Sequence, residues 1–426
     1  MMKVFVANFG CSANINDGEI MQGLLAKEGK QIVDCEEDAD TIILNTCTVK
    51  GKVESEIKKK IGHIRSSFPQ KKLVIAGCMP QVQSAMLKEI APQSSLIGPH
   101  QIDEIVDVVD ASSATVRIQK KANVKIGMPK IRKNPVINIV QINEGCLGSC
   151  TFCITKLAKP KLLSFPMAQI IEDIEQGIVD GAKEVWLTSQ DTAAYGKEFR
   201  RNLPMLLDEI IQIEGEFKVR IGMMNPDNIL SIEQEITSRL KNPKFFKFLH
   251  IPIQAGCDEV LKRMKRTYTV SEFEGVVEKL RKEIPDITIA TDIICGFPAE
   301  TEEQFEETLN LVREVKFDTI NISRYWERPG TASASMDGKL NGRITKERST
   351  RLAKLFWQIA EEKNKALIGW KGEILIDEKG TVEGSWIGRN YAYKPVGVKS
   401  EENLLGRKIS VEITDATRYG LRGKIL

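Results

Sequence analysis

Histidine is scarce in this chain: only His63, His100 and His250 occur, against nine cysteines. So few imidazoles argue against a histidine-rich metal site and against a histidine-based catalytic triad as the main chemistry. Any bound metal is therefore expected to be held by sulfur. An odd number of cysteines fits thiolate ligation in a reducing compartment better than a framework of disulfides.

Long apolar runs are also absent. No stretch approaches the ~18 apolar residues of a membrane span, and the first residues, MMKVFVANFG, lack the longer apolar stretch of a signal peptide. We therefore expect a cytoplasmic protein without membrane contact. The net charge is only +3, and residues 364–426 hold 11 basic against 8 acidic residues, so the whole excess lies there. That excess suits contacts to a polyanion, although a solvated surface explains it equally well.

At ~150 residues per domain, the 426 residues predict two or three domains. The order of strand-like and helical patterns along the chain predicts the α/β class. Residues 1–112 alternate apolar runs with amphipathic stretches, which predicts a parallel α/β sheet. Residues 113–134 are polar and rich in lysine, and are interpreted as a linker. Residues 135–366 contain six strand-like runs separated by helical patterns, which predicts a partial (βα)6 barrel related to the eightfold barrel. Residues 367–426 predict a small antiparallel, OB-like β-barrel.

The clearest local motif is GCLGSCTFC, which places Cys146, Cys150 and Cys153 directly after the first strand of the predicted barrel. A zinc site usually takes four protein ligands, and no fourth cysteine or histidine lies nearby. Three clustered thiolates fit an iron–sulfur cluster better, because the missing fourth ligand leaves one iron free. A structural zinc loop is the alternative. The loop is expected at the carboxyl ends of the strands, where such barrels form active sites.

Four more cysteines, each following an apolar strand-like run, lie in the first domain: Cys11, Cys35, Cys47 and Cys78. The carboxyl ends of parallel strands share one edge of the sheet, so these thiols can converge on a second site. Cys35 is the weakest candidate, because acidic residues follow it directly. Unconnected buried cysteines are the alternative explanation. Cys257 and Cys295 are interpreted as packing residues.

Several ordered motifs resemble a known family. The spacing C-x3-C-x2-C, with Phe152 before the last cysteine, resembles the radical S-adenosylmethionine enzymes. The methylthiotransferases among them have motifs similar to FGCSANINDGEIM, LNTCTV and IAGCMPQ, which select Cys11, Cys47 and Cys78, and to HIPIQAGCDEVLKRMKRTYT, TDIICGFPAET and ERPGTAS. The last segment resembles the RNA-binding TRAM module. GCLGSCTFCITKLA followed by EVWLTSQDTAAYG is similar to the archaeal and eukaryotic branch.

This resemblance implies an enzyme that methylthiolates carbon 2 of threonylcarbamoyl-modified adenosine next to the tRNA anticodon. The implied cofactors are S-adenosylmethionine and two 4Fe-4S clusters, one on each cysteine triad. The barrel cluster would reduce S-adenosylmethionine to yield a 5′-deoxyadenosyl radical, and the second cluster would hold or donate sulfur. The implied partners are tRNA, an electron donor and a sulfur source. We expect a monomer.

The resemblance also places Phe152 beside the cofactor. Other polar residues at predicted strand ends are candidates for binding the cofactor or shaping the adenine pocket, with loop capping as the alternative: Gln190, Asp191, Asn225, Gln254, Asp292 and Arg324. His250 is interpreted either as a substrate contact or as a core histidine.

Two groups of residues are candidates for RNA contact. The basic run 262–266 suits phosphate contacts, although a charged helix face would simply be solvated. In the last segment, stacking on unpaired bases or core packing would explain the aromatic residues Trp386, Tyr391 and Tyr393.

One position departs from the branch pattern, which usually has Arg-Gly where this chain has Lys159-Pro160. Lysine keeps the charge but lacks the planar fork of arginine, and proline removes the flexibility and the amide donor of glycine. A substrate or cofactor contact in this loop is therefore in question.

Two rival functions remain open from the sequence. The same fold could act on isopentenyl-adenosine in tRNA or on a ribosomal protein. A non-catalytic iron–sulfur electron carrier with an RNA-binding tail is a different class of protein, but it would not need the strand-end motifs of a full barrel.

Overall fold

The computed structural model describes residues 1–49, 51–121 and 123–426. It contains a parallel sheet domain, a partial barrel and a small closed barrel, in that order along the chain. The predicted fold class is confirmed.

The first domain is a six-stranded sheet with the strand order β2-β1-β3-β4-β5-β6, and all its pairs are parallel. Its strands are β1 (Lys3–Asn8), β2 (Gln31–Val33), β3 (Thr41–Thr46), β4 (Lys72–Gly77), β5 (Ser95–Ile97) and β6 (Val116–Arg117). Its helices are α1 (Ser12–Lys27), α2 (Gly51–Ser67), α3 (Cys78–Ile90) and α4 (Ile105–Asp110).

Helices cover both faces of this sheet, so both faces are buried. Successive residues of a strand point to opposite faces and therefore enter different cores. Ile43 packs with Ile20 of α1 in one core, whereas Ile42 packs with Ile57 of α2 in the other. Helices on both faces leave the carboxyl-end edge of the sheet as the place for a ligand. β1, β3 and β4 are direct neighbours, so the residues that follow them meet at that edge.

The described residues of the segment 113–134 are more closely packed than a free linker would be. It contributes β6, which pairs with β5, and it then runs along α1, where the Ile131 amide donates to the Glu19 carbonyl. Lys125 is 1% exposed. Polar composition suggested a solvated connection, but the buried lysine has charged partners that lie far away in the sequence. The domain boundaries themselves stay a prediction.

The central domain has six parallel strands in two ladders, β7-β10-β11 and β12-β13-β14, which a bridge between Val219 and Phe245 brings side by side. Among the described residues no ladder joins β7 to β14, so the barrel is open, as predicted. The six barrel strands are β7 (Ile137–Gln141), β10 (Glu184–Thr188), β11 (Lys218–Ile221), β12 (Phe248–His250), β13 (Thr288–Cys295) and β14 (Thr319–Arg324). A separate antiparallel pair is formed by β8 (Asn143–Glu144) and β9 (Leu163–Ser164).

Side chains from the strands and helices of this domain form the core of the barrel. The helices are α5 (Thr155–Ala158), α6 (Met167–Val179), α7 (Leu203–Gln212), α8 (Pro226–Ile229), α9 (Glu233–Leu240), α10 (Asp258–Arg263), α11 (Val270–Glu283), α12 (Glu302–Val315) and α13 (Gly342–Lys365). Capping boxes at Thr269 and Thr301 fix the starts of α11 and α12. None of the described helices is long and apolar enough to cross a membrane.

The last domain is a closed five-stranded barrel in which only the β17–β19 pair is parallel. Its strands are β15 (Lys371–Lys379), β16 (Ser385–Arg389), β17 (Pro395–Lys399), β18 (Lys408–Thr417) and β19 (Gly420–Ile425).

This small barrel is packed against the central one. The Tyr393 ring lies 4.8 Å from that of Phe246 and 5.2 Å from that of Phe248, centroid to centroid. Trp386 is buried in the small barrel's own core. For these two aromatic residues the contacts favour core packing over base stacking, the two explanations that the sequence left open. Tyr391 is half-buried beside Trp370.

Candidate active site between two domains

Three cysteines stand at the carboxyl ends of β1, β3 and β4. Cys11 directly precedes α1, Cys47 follows β3, and Cys78 follows β4 as the first residue of α3. Gly10 has φ +118°, and a Cβ there would lie 2.6 Å from that of Cys47, so the Phe-Gly-Cys turn depends on glycine. Cys35 follows the edge strand β2, is partly exposed, and contacts Asp38 instead.

The second triad lies in the loop after β7 and β8. The Gly148 amide donates to the Cys146 sulfur over 3.2 Å, and the Cys153 amide donates to the Cys150 carbonyl. Lys156 donates to the Cys146 carbonyl over 2.6 Å. These short-range bonds fold the loop so that its thiols face inward.

Both triads border one cavity of about 380 Å³. The six cysteines that line it are Cys11, Cys47, Cys78, Cys146, Cys150 and Cys153. Cys257 and Cys295 are buried in the barrel core, outside this lining, as their interpretation as packing residues expects. The cavity therefore joins the carboxyl-end edges of two different domains.

The sulfur arrangement differs from that of a single-ion site. Within the described ranges no three His, Cys, Asp or Glu side chains converge as the ligands of one metal ion would. In a 4Fe-4S cluster each thiolate binds a separate iron, so its ligands need not converge on one point. The donor set of each triad is three thiols with no histidine, which fits a cluster better than zinc.

Burial raises the pKa of the Cys78 and Cys146 thiols to about 12. Burial is also the largest cause of the raised pKa of Cys47 and Cys153. Thiols in such surroundings become thiolates only when a bound cation compensates for the lost hydration. The chemistry of the pocket thus suits cysteines that bind a metal cluster rather than free nucleophiles.

A buried polar network holds the barrel triad in place. Arg266, 7% exposed, donates to the Cys150 sulfur over 2.9 Å and to Asn225 Oδ1 over 3.0 Å. Asn225 Nδ2 lies 3.5 Å from the Cys146 sulfur and donates to Asp191 over 3.0 Å. Asp191 also accepts from Asn228, over 2.6 Å. One arginine and one asparagine therefore connect two cluster-ligand candidates to a buried carboxylate.

The candidate cofactor residues fall into three groups. Phe152, Gln190, Gln254 and Asp292 line the cavity, as does Asn225. Asp191 is fully buried and contributes by orienting Asn225 and Asn228. Arg324 is exposed at the end of β14 and is not part of the lining. Gln190 accepts from the Gly145 amide over 2.8 Å, so it also supports the cysteine loop.

Arg266 belongs to the basic run 262–266, a candidate for RNA contact from the sequence. Helix α10 ends at Arg263, and Lys265 adopts a left-handed φ of +56° that redirects the chain. Arg266 consequently faces the cysteines rather than solvent. Charge counting alone could not separate it from its neighbours.

Five ionisable side chains, each at most 2% exposed, meet where the first domain packs on the cysteine loop: Asp17, His100, Lys125, Glu144 and Lys159. We call them the interface network. Lys125 Nζ lies 2.6 Å from Asp17 and 2.7 Å from Glu144, and Lys159 Nζ lies 3.0 Å from Glu144. Burial would raise the pKa of Glu144, but Lys125 and Lys159 outweigh it and hold that pKa well below its ordinary value.

The network shows what Lys159 contacts in the Lys159-Pro160 loop. Lys159 borders the cavity, and its ammonium is used between two carboxylates, Glu144 and Asp17. Glu144 precedes Cys146 by two residues, and Asp17 lies on the helix that begins after Cys11. A second interdomain contact adds Arg328, which donates to Glu54 and to the Val49 carbonyl, each over 2.6 Å. The two triads are thus held at a fixed relative position.

Comparisons with known proteins agree with this architecture. Residues 3–98 match the uncharacterized protein family UPF0004, residues 140–312 the radical SAM superfamily, and residues 365–426 the TRAM domain. The radical S-adenosylmethionine methyltransferase TsrM from Kitasatospora setae, solved with cobalamin and a [4Fe-4S] cluster, has a TM-score of 0.57 at 14% identity. It covers 78% of this chain and 77% of its own, and supports the fold alone.

Sequence relatives are much closer. A protein of Methanothermobacter thermautotrophicus, named a probable threonylcarbamoyladenosine tRNA methylthiotransferase, is 40% identical over 98% of both chains. The threonylcarbamoyladenosine tRNA methylthiotransferase of Homo sapiens is 38% identical over all of this chain and 74% of its own. The predicted resemblance is confirmed, and the chain belongs to the threonylcarbamoyladenosine tRNA methylthiotransferase family.

Proposed function

We propose that the protein replaces the hydrogen on carbon 2 of threonylcarbamoyl-modified adenosine in tRNA with a methylthio group. The observation that carries this proposal is the meeting of two cysteine triads, from two domains, at one cavity. Sulfur insertion at one carbon requires a radical source and a sulfur-holding centre within reach of the same atom. The names of the relatives support the same activity.

Cys146, Cys150 and Cys153 would hold a 4Fe-4S cluster with one iron open to S-adenosylmethionine, and Cys11, Cys47 and Cys78 would hold a second cluster. When bound, these groups supply the one-electron cleavage of S-adenosylmethionine and the sulfur. The chain's own work is to bind, orient and exclude solvent. A cavity of about 380 Å³ lies within the usual size range of small-molecule sites.

The residues around the barrel triad have separate positioning roles in this proposal. Arg266 donates to the Cys150 sulfur over 2.9 Å and so fixes the orientation of this side chain. Asn225 keeps the arginine in place through Asp191. Phe152 packs edge-on against Phe297, with 6.4 Å between ring centroids, and closes the cavity beside the loop. Gln190 and Gln254 remain candidates for cofactor contacts.

Anaerobically reconstituted protein, given reductant, S-adenosylmethionine, a sulfur source and tRNA bearing threonylcarbamoyladenosine, is expected to form the 2-methylthio nucleoside. Mass spectrometry of the digested tRNA measures the product. Isopentenyl-adenosine tRNA and ribosomal protein are the comparison substrates. Methylthiolation of either of these in preference to the first substrate would overturn the assignment, and formation of no product with any of them would favour the non-catalytic alternative.

For tRNA binding we propose an exposed cation–aromatic stack, made by Trp357 of α13 with Arg418 and Tyr419 of the β18–β19 turn. The Arg418 guanidinium lies 4.3 Å from the Trp357 ring centroid and 4.7 Å from that of Tyr419. Tyr419 is 70% exposed. An open aromatic face beside a cation suits stacking by an unpaired base.

Substituting Tyr419→Ala is expected to weaken tRNA binding about tenfold, since base stacking on an aromatic ring contributes about 1–3 kcal/mol. Fluorescence anisotropy with a labelled anticodon stem-loop measures the change. Arg422→Ala removes one exposed charge from the same barrel and is the matched control. Equally small losses of tRNA affinity in both variants would show that the stack does not bind the RNA.

A further inference from the structure

Polar side chains from three successive strands of the second ladder meet at one wall of the cavity. His250, the last residue of β12, lies with its Nε2 2.9 Å from Asp292 Oδ1 on β13. Asn321 of β14 donates to the same oxygen over 2.8 Å. Both His250 and Asp292 border the cavity, and β10 and β11 separate β12 from the strand that carries the cysteine loop.

This group differs from the other carboxylate network of the barrel. The Asp191 carboxylate is fully buried and its three hydrogen bonds go to Asn225 and Asn228, so its role is internal. The His250 and Asp292 side chains keep 16% and 31% of their surface exposed, and that surface faces the cavity. The exposed part of this pair can therefore contact a ligand in the cavity.

The hydrogen bond to Asp292 assigns a role to each nitrogen of the imidazole. A carboxylate accepts, so His250 Nε2 carries the donated proton and the ring is held in one orientation. In the described part of the chain the ring's hydrogen bond to a side chain is made through Nε2. Nδ1 therefore remains able to pair with a ligand, as an acceptor in the neutral ring or as a donor in the charged one.

The position and chemistry of this wall suit the target base better than the cofactor. The cofactor must reach the loop of Cys146, Cys150 and Cys153, whereas the base must lie where both triads can act on it. Met223 lines the cavity as well and offers an apolar, polarisable surface to an aromatic face. The imidazole can hydrogen-bond a ring nitrogen of a purine while Met223 contacts the face of the same purine.

We propose that His250, oriented by Asp292, hydrogen-bonds the modified adenine of the tRNA and places its carbon 2 toward the two triads. This inference rests on the proposed function and adds the residue that positions the base. Asp292 acts through the histidine and is a positioning residue in this respect.

The test uses full-length reconstituted protein with His250→Phe, His250→Asn and Asp292→Asn. His250→Phe is expected to keep its iron and to cleave S-adenosylmethionine, but to form at least about tenfold less methylthio product per 5′-deoxyadenosine, a loss of ~1.4 kcal/mol in positioning. His250→Asn retains a polar group near Nδ1 and should recover part of this coupling. Asp292→Asn should form an amount of methylthio product per 5′-deoxyadenosine between that of His250→Phe and that of the wild-type protein.

A matched control exists at His63, which also contacts a carboxylate, Glu36, over 3.3 Å but on the surface of α2. His63→Phe should leave the ratio of product to 5′-deoxyadenosine unchanged. Normal coupling in His250→Phe would overturn the inference, and so would loss of S-adenosylmethionine cleavage without tRNA, because the pair would then serve the cofactor. If the wild-type protein itself formed no product, the proposed function would fail instead.

Discussion

Alanine at Cys11, Cys47 and Cys78 together is expected to abolish the methylthio product while S-adenosylmethionine is still cleaved reductively. Cleavage needs only the barrel triad, the cofactor that it binds and an electron. Sulfur insertion needs the second centre as well, within reach of the same adenine carbon. The triads belong to separate domains, so one can be removed without altering the ligands of the other.

Iron analysis, 5′-deoxyadenosine and modified nucleoside measured in one anaerobic sample test this division of labour. The triple variant should hold about half the wild-type iron, since one of two equal clusters would be lost. The same substitution at Cys35, a thiol outside the cavity, is the control and should keep all three quantities. Methylthio product from the triple variant would exclude the two-cluster mechanism. Loss of cleavage would show that the barrel triad depends on the first domain.

The convergence of the cysteines of the first domain could be predicted because parallel strands place their carboxyl ends on one edge of the sheet. The motifs LNTCTV and IAGCMPQ each put a cysteine directly after a buried strand. β1, β3 and β4 are neighbours in the sheet, whereas β2 is at its edge. This order explains why Cys11, Cys47 and Cys78 share the cavity and Cys35 does not.

The residues that hold the triads could not be predicted in the same way, because their partners are distant in sequence. Arg266 reaches Cys150 across 116 positions, and Lys125 reaches Asp17 across 108. A lysine-rich segment also has the composition of a solvated linker, so nothing local marks Lys125 as buried. The sequence around Tyr393 is equally compatible with an exposed stacking residue, because its packing partner Phe246 belongs to a different barrel.

The interface network gives the second prediction with a large effect. Lys159→Met is expected to destabilise the protein by about 3–5 kcal/mol, the usual result of removing one partner from a buried ion pair. Among the lysines that the structure describes, Lys125 alone would then pair with the two carboxylates, Glu144 and Asp17. Urea unfolding followed by fluorescence measures the loss. Lys241→Met breaks an ion pair whose side chains are about half exposed, and should cost under ~1 kcal/mol.

Two further variants separate charge from shape. Lys159→Arg keeps the charge and restores the residue usual in this branch, so most of the stability should return. Adding Glu144→Gln to Lys159→Met removes one carboxylate together with its cation and leaves Lys125 facing Asp17. The double variant should therefore be more stable than Lys159→Met alone, a non-additivity expected only when an uncompensated buried charge causes the damage. A double variant that is simply the sum of its parts would mean that lost packing, rather than charge, holds the first domain against the cysteine loop.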